Sequence, residues 1–169
     1  MYEDESEDPI WRDYCLQHLE ALYDHVANRQ VIVDTLLSAV RKGDNPYAGT
    51  ALMAVDRLVQ EHPDLGPVSA SLRKVRQTWV VADEKDEERL IVAFQMAASK
   101  RDSSILPKAR IVAVDPNVLA RVRMSAIGVL GELGTEDDMP LIESLLKEKD
   151  TRIRNAAKYG LNRLKKKRP

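Results

Sequence analysis

One cysteine, three histidines and a single phenylalanine in 169 residues leave little material for several classes of protein. With Cys15 alone no internal disulfide can form, and a lone thiol fits a reducing compartment, so a cytoplasmic location is expected. The histidines, His18, His25 and His62, form neither an H-E-x-x-H motif nor paired His–Glu steps, so no metal or cofactor is expected. No serine sits in a G-x-S-x-G elbow, and the seven glycines never gather into a phosphate-cradling loop. No catalytic residue is therefore assigned. No apolar run approaches the ~20 residues that a bilayer span needs. The start, Met1-Tyr2-Glu3-Asp4-Glu5, is acidic where a secretory leader would be basic.

What is present is ordinary for a chain able to bury a core: 44% hydrophobic and 31% charged residues, with aromatics at only 5%. Within that composition one segment repeats after 31 residues: Val122-Arg123-Met124-Ser125-Ala126 returns as Ile153-Arg154-Asn155-Ala156-Ala157. Leu130 then matches Leu161, and Leu133 matches Leu164, without a gap. Arg, Ala, Leu and Leu at i, i+3, i+7 and i+10 form one stripe of a helix, in which the small Ala lets a neighbouring helix come close. Arg12, Cys15, Leu19 and Leu22 have the same spacing, as do Ala48, Ala51, Val55 and Leu58 without the Arg. A fixed period of this kind marks stacked units that bury their apolar faces only against one another. Between the two strong copies, Gly134 ends a helix, Thr135 with an acid three residues later starts another, and Ile142, Leu145 and Leu146 give it an apolar face. One period is thus two antiparallel helices.

Leu130-Gly131-Glu132-Leu133-Gly134, the acidic cap, Met139-Pro140-Leu141-Ile142 and then Asp150-Thr151-Arg152-Ile153-Arg154-Asn155-Ala156-Ala157 resemble a HEAT repeat. The short period resembles the HEAT-like subgroup found in phycobilisome lyases. Residues 116–164 carry the likeness most fully, 9–62 more loosely and 63–115 by pattern alone. The resemblance implies an all-α, short HEAT-like α-solenoid of about nine antiparallel helices, roughly four and a half pairs. Proline and glycine punctuation places the helices at about 9–26, 28–41, 45–62, 67–81, 83–101, 104–114, 116–133, 136–148 and from 151 onward. Residues 1–8 form an acidic N-terminal arm, 9–164 the helical repeat domain and 165–169 a basic C-terminal tail.

Two residue sets invite a chemical reading. Cys15 aligns with Ala157 and is expected inside the stack as a packed thiol. Trp79 and Asp83, four apart, are similar in type to the aromatic and Asp that HEAT-like alkylpurine DNA glycosylases use. The plainer reading is a core-closing Trp and a helix-capping Asp. Gly128, Gly131 and Gly160 are expected at close helix contacts. Arg123 and Arg154, at equivalent positions near helix starts, are expected to reach back to an acid or carbonyl in the preceding turn and form a structural ladder, with Asp115 the candidate partner of Arg123 and Asp150 that of Arg154.

Charge is unevenly spread. Residues 116–169 have a net charge of +5 and the rest of the chain −6. The resemblance implies that second helices of each pair line a concave face. In the first three pairs these carry mostly cations, so Arg73, Arg76, Lys108 and Arg110 are the expected contacts for an acidic protein surface or peptide. The leading expectation is a non-catalytic scaffold that binds a protein partner. Alternatives are nucleic-acid binding, including glycosylase-like activity, and a HEAT-like bilin lyase.

Overall fold

A computed structural model describes residues 2–42, 45–81 and 87–167, with side chains described up to Trp79 in the middle segment. Every regular element among them is helical. The chain divides into two compact units, Met1–Arg76 and Gln77–Pro169, a division that no composition shift in the sequence announces.

The first unit holds α1 (Pro9–Leu22), α2 (Arg29–Arg41), α3 (Ala48–Glu61) and the start of α4 (Gly66–Val81). Asp8 caps α1 by accepting from the Ile10 N–H, and Pro9 begins the helix without losing a needed donor. α1 and α2 both pack on α3, so α3 buries a broad face that includes Ala48, Ala51, Val55 and Leu58. In α1 only Leu16 is fully buried; Cys15 and Leu19 are half-buried and Leu22 is exposed. The expected Cys15–Leu19–Leu22 stripe is therefore one step out of register. α1 meets α3 along a narrow line centred on Leu16, and Cys15 is half-buried instead of sealed in the core. Residues 2–8 are not a detached arm. The Tyr2 carbonyl accepts from Arg12, and the Tyr2 hydroxyl accepts from Asn45, whose amide also closes the α2–α3 turn on the Ala39 carbonyl.

The second unit holds α5 (Glu87–Ser99), α6 (Leu106–Val114), α7 (Ala120–Leu133), α8 (Met139–Ser144) and α9 (Thr151–Lys166). α5, α7 and α9 lie side by side as one layer, with α6 and α8 packed behind. α7 and α9 approach most closely at Gly131 and Gly160; a Cβ on Gly131 would lie 2.7 Å from the Gly160 Cα. A Cβ on Gly128 would meet nothing within 4 Å, so this glycine is not the close contact expected of it. α7 begins at Ala120 and not at Pro116, because Asp115 turns the chain by accepting from the Asn117 N–H. At the far end, Lys165 and Lys166 continue α9 instead of starting a loose tail. The 31-residue register shows where α7 and α9 differ. Ile127 and Gly131 of α7 face α9, whereas their counterparts, Lys158 and Asn162, are exposed.

Candidate functional site

The four cations expected on a concave face meet different fates. Arg73 is exposed and Lys108 half-buried, but Arg76 is only 5% exposed and so does not offer its charge to an open groove. Arg110 is committed within the second unit: its Nε and Nη2 donate to the two carboxylate oxygens of Asp138 at 2.6 and 3.2 Å. Asp138 is buried at the turn into α8 and also accepts from the Thr135 N–H. Burial raises its pKa, but the hydrogen bonds from Arg110 and Thr135, with the Arg110 charge, outweigh burial and hold the carboxyl below its ordinary value. Arg110 thus ties α6 to α8. Sequence spacing could not show this, since the partners are 28 residues apart.

Arg123 and Arg154 make protein contacts, though not with Asp115 or Asp150. Arg123 is buried; its Nε donates to the Ala113 carbonyl at 3.0 Å and its Nη2 to Glu148 at 2.5 Å. Arg154 donates to the Glu148 and Lys149 carbonyls and to the Thr151 hydroxyl. Both arginines therefore close on the turn around Glu148. The two aspartates are held locally instead. Asp115 accepts from Asn117. Asp150 caps α9 and pairs with Arg152, whose hydrogen bonds pull its pKa down to about 2.

Of the Trp79–Asp83 pair, Asp83 lies outside the described residues. Trp79 is buried, with the Arg89 guanidinium over its ring at 5.3 Å, so that face is not open to a stacked base. Among the described residues, no cluster of three or more His, Cys, Asp or Glu could hold a metal ion, and no helix is long and apolar enough to cross a membrane.

A different surface in the second unit gathers the right chemistry for a ligand. A groove of about 810 Å³ runs along the layer of first helices and is lined from α5, α7 and α9. Its floor includes Phe94, Val129 and the half-exposed Met124, and the missing Cβ of Gly128 opens its middle. Arg101, Arg121 and Arg163 stand around it with one carboxylate, Glu132. Arg121 is paired with Glu87 at 2.9 Å and Arg163 with Glu132 at 2.7 Å. The Lys167 ammonium donates to the Glu132 carbonyl at the end of α7, a favourable place for a cation beside a helix C-terminus. Burial lowers the Lys167 pKa, and the nearby Arg101 and Arg163 charges add to that against the pull of Glu132. This end of the groove therefore carries an excess of positive charge.

Arg101 differs from the other two arginines. Its φ is 54°, the one positive φ at a non-glycine among the described residues. Asp102 N–H bonds the Ala97 carbonyl and Arg101 N–H the Ala98 carbonyl, the hydrogen-bond pattern that closes a helix through a left-handed residue. Glycine ordinarily fills that position, because a side chain there costs about 1 kcal/mol. The Arg101 side chain has no hydrogen bond or ion pair within the described residues. Spacing places no signal on this residue, and only the backbone conformation singles it out.

Fold and surface together define a repeat protein of paired antiparallel helices with a groove in its second unit. The family model for HEAT repeats matches residues 75–162, about half of the chain, and the chain belongs to the HEAT-repeat family. Members of that family commonly mediate protein–protein interaction and are generally non-enzymatic. The match is to HEAT repeats at large and does not single out the phycobilisome-lyase type. No curated protein and no solved structure matches the chain.

Proposed function

We propose that the protein is a non-catalytic interaction module that binds an acidic segment of a partner protein in the groove of α5, α7 and α9. The observation that carries this reading is Arg101. The chain accepts a left-handed conformation at a residue better served by glycine, and the result is a guanidinium at the rim of an apolar groove that is unpaired among the described residues. Strain retained at a surface position has a ready explanation when the side chain serves binding. A carboxylate of the partner meets Arg101 in a charge-assisted hydrogen bond, while an apolar side chain enters above Gly128 and displaces water from Met124 and Val129. Arg121 and Arg163, already paired, set the register without releasing much energy.

The test is a titration against the partner recovered by pull-down from the native host. Arg101→Gly should weaken binding by tenfold or more, about 1.4 kcal/mol, while the fold becomes no less stable. Reversal of Arg73 or Lys108 to Glu serves as the control for the surface of the second helices. Loss of affinity in those variants with none in Arg101→Gly would move the site to that surface.

A second reading, nucleic-acid binding, has one observation in its favour. Tyr159 is exposed on α9 among Lys158, Arg163, Lys165 and Lys166. Its ring is already covered by the Arg163 guanidinium at 5.4 Å, which leaves less of it for stacking. Salt separates the two readings, since phosphate binding falls steeply with ionic strength. The bilin-lyase alternative has only the short repeat period behind it.

A further inference from the structure

The outward face of α1 is built in reverse. A helix at the edge of a unit normally turns charged residues to water and apolar ones to its neighbours. In α1 the solvent-facing arc holds Ile10, Trp11, Tyr14, His18 and Leu22, all exposed, with Gln17 and Ala21 and no charged residue. At 100° per residue these span roughly 140° of the helix circumference. The charged side chains of α1 lie on the other side, half-buried against the unit. Arg12 donates to the Tyr2 carbonyl and covers the Tyr47 ring, and Glu20 accepts from Arg57 of α3.

The exposed rings are organised. Trp11 and Tyr14 have centroids 6.0 Å apart, and Tyr14 stacks on His18 at 6.2 Å, giving a continuous aromatic strip along the helix. Trp11 is 61% exposed. Scattered apolar residues on a surface need no explanation, whereas a contiguous strip along one helix marks an interaction site. Around it carboxylates predominate, although Lys42 pairs with Glu5 and Arg57 with Glu20. Residues 1–22 carry seven carboxylates against a single cation, Arg12, which is turned inward. Glu3, Glu7 and Asp8 are exposed beside the start of the strip.

We infer that this face of α1 is the docking surface for a basic amphipathic helix of a partner protein. Apolar side chains at i, i+3, i+4 and i+7 of such a helix cover Trp11, Tyr14 and Leu22. Lysines or arginines on its flank meet Glu3, Glu7 and Asp8, where complementary charge speeds encounter and fixes direction. A second copy of this chain is disfavoured as the occupant, since it would present the same net charge of −6 over residues 1–22. The site is separate from the groove of the second unit in both residues and charge preference, so either can fail alone.

The probe is a synthetic amphipathic helix of leucine and lysine about 18 residues long, five turns, beside a matched leucine–glutamate helix. Trp11 reports directly, because the other tryptophan, Trp79, is buried. The leucine–lysine helix should shift the tryptophan emission to the blue and the leucine–glutamate helix should not. Trp11→Ser with Tyr14→Ser should weaken binding of the leucine–lysine helix at least tenfold, measured by calorimetry, with an unchanged circular dichroism spectrum. Equal binding by the double variant overturns the proposal. So does no emission shift with either helix. Concentration-dependent dimerisation in sedimentation, abolished by Trp11→Ser, overturns it in favour of a second copy.

Discussion

The first helix and the last solve the same problem in opposite ways. Each presents one exposed face. α9 fills that face with Lys158 and Asn162, where the interior helix α7 has Ile127 and Gly131. α1 fills its own with Ile10, Trp11 and Tyr14 and places its charges against the unit. The repeat sets which side chains point outward at an edge, but solubility alone does not decide their character. On the proposal above, the apolar face of α1 is the one that receives a partner.

The sharpest way to break this comparison uses two leucines that the sequence spacing aligns and the structure does not. Leu164 of α9 is buried and Leu22 of α1 is 47% exposed. Leu164→Ala should cost about 2 to 5 kcal/mol of unfolding free energy, and Leu22→Ala within about 0.5 kcal/mol, as for other surface changes. Similar losses in urea titrations would mean that α1 is buried more deeply than Leu16 alone suggests.

Two glycines of α7 give the next largest contrast. Gly131→Ala places a methyl group 2.7 Å from the Gly160 backbone and should destabilise by about 1 to 3 kcal/mol as α7 and α9 are forced apart. Gly128→Ala meets nothing and should stabilise by up to about 1 kcal/mol through helix propensity alone. Thermal unfolding of the two variants should move in opposite directions.

A pH series tests the tie that holds α6 to α8. The Asp138 pKa is lowered on folding, so its stabilisation is complete above the ordinary value of 3.8 and fades as pH falls below it. The stability gap between the parent and Asp138→Asn should therefore be constant from neutral pH down to about 5 and narrow below about 4. A gap that stays constant to lower pH would remove Asp138 as the titrating partner of Arg110. The smallest expected effect is at Arg101, where Arg101→Gly should raise stability by about 1 kcal/mol by relieving the left-handed side chain. A loss of stability there would give Arg101 a structural role.

Much of the fold was legible because the 31-residue register is written in Ala, Gly and Leu, whose sizes decide how closely helices approach. Ala126 and Ala157, with Leu130 and Leu161, are such matches, and the helix pairing is read from this period with the Gly134 and Thr135 caps between its copies. The slip at α1 has a physical origin. Motif spacing identifies a stripe, but a helix with a neighbour on one side buries only a line within it, and that line passed through Leu16. Both ladder arginines do reach backbone carbonyls of the preceding turn, but not the nearest acids, because Asp115 and Asp150 are occupied in closing turns. Two of the four expected concave cations are not open to a partner, for a similar reason. Arg76 is buried and Arg110 is paired across 28 residues, and charge counts along a helix carry neither fact. The groove escaped notice since it depends on a side chain that is missing, at Gly128, and on a backbone angle at Arg101 that no residue type announced.

The most direct test of the account is oxidative footprinting of the complex with the recovered partner. Met124 lies in the groove of the second unit and is 37% exposed; Met53 of the first unit is exposed to a similar degree, and Ile111 lies open on α6. Binding in the groove predicts that the partner protects Met124 from oxidation and leaves Met53 and Ile111 as reactive as in the free protein. Unchanged oxidation of Met124 with protection of Ile111 would contradict the account and place the partner on the second helices.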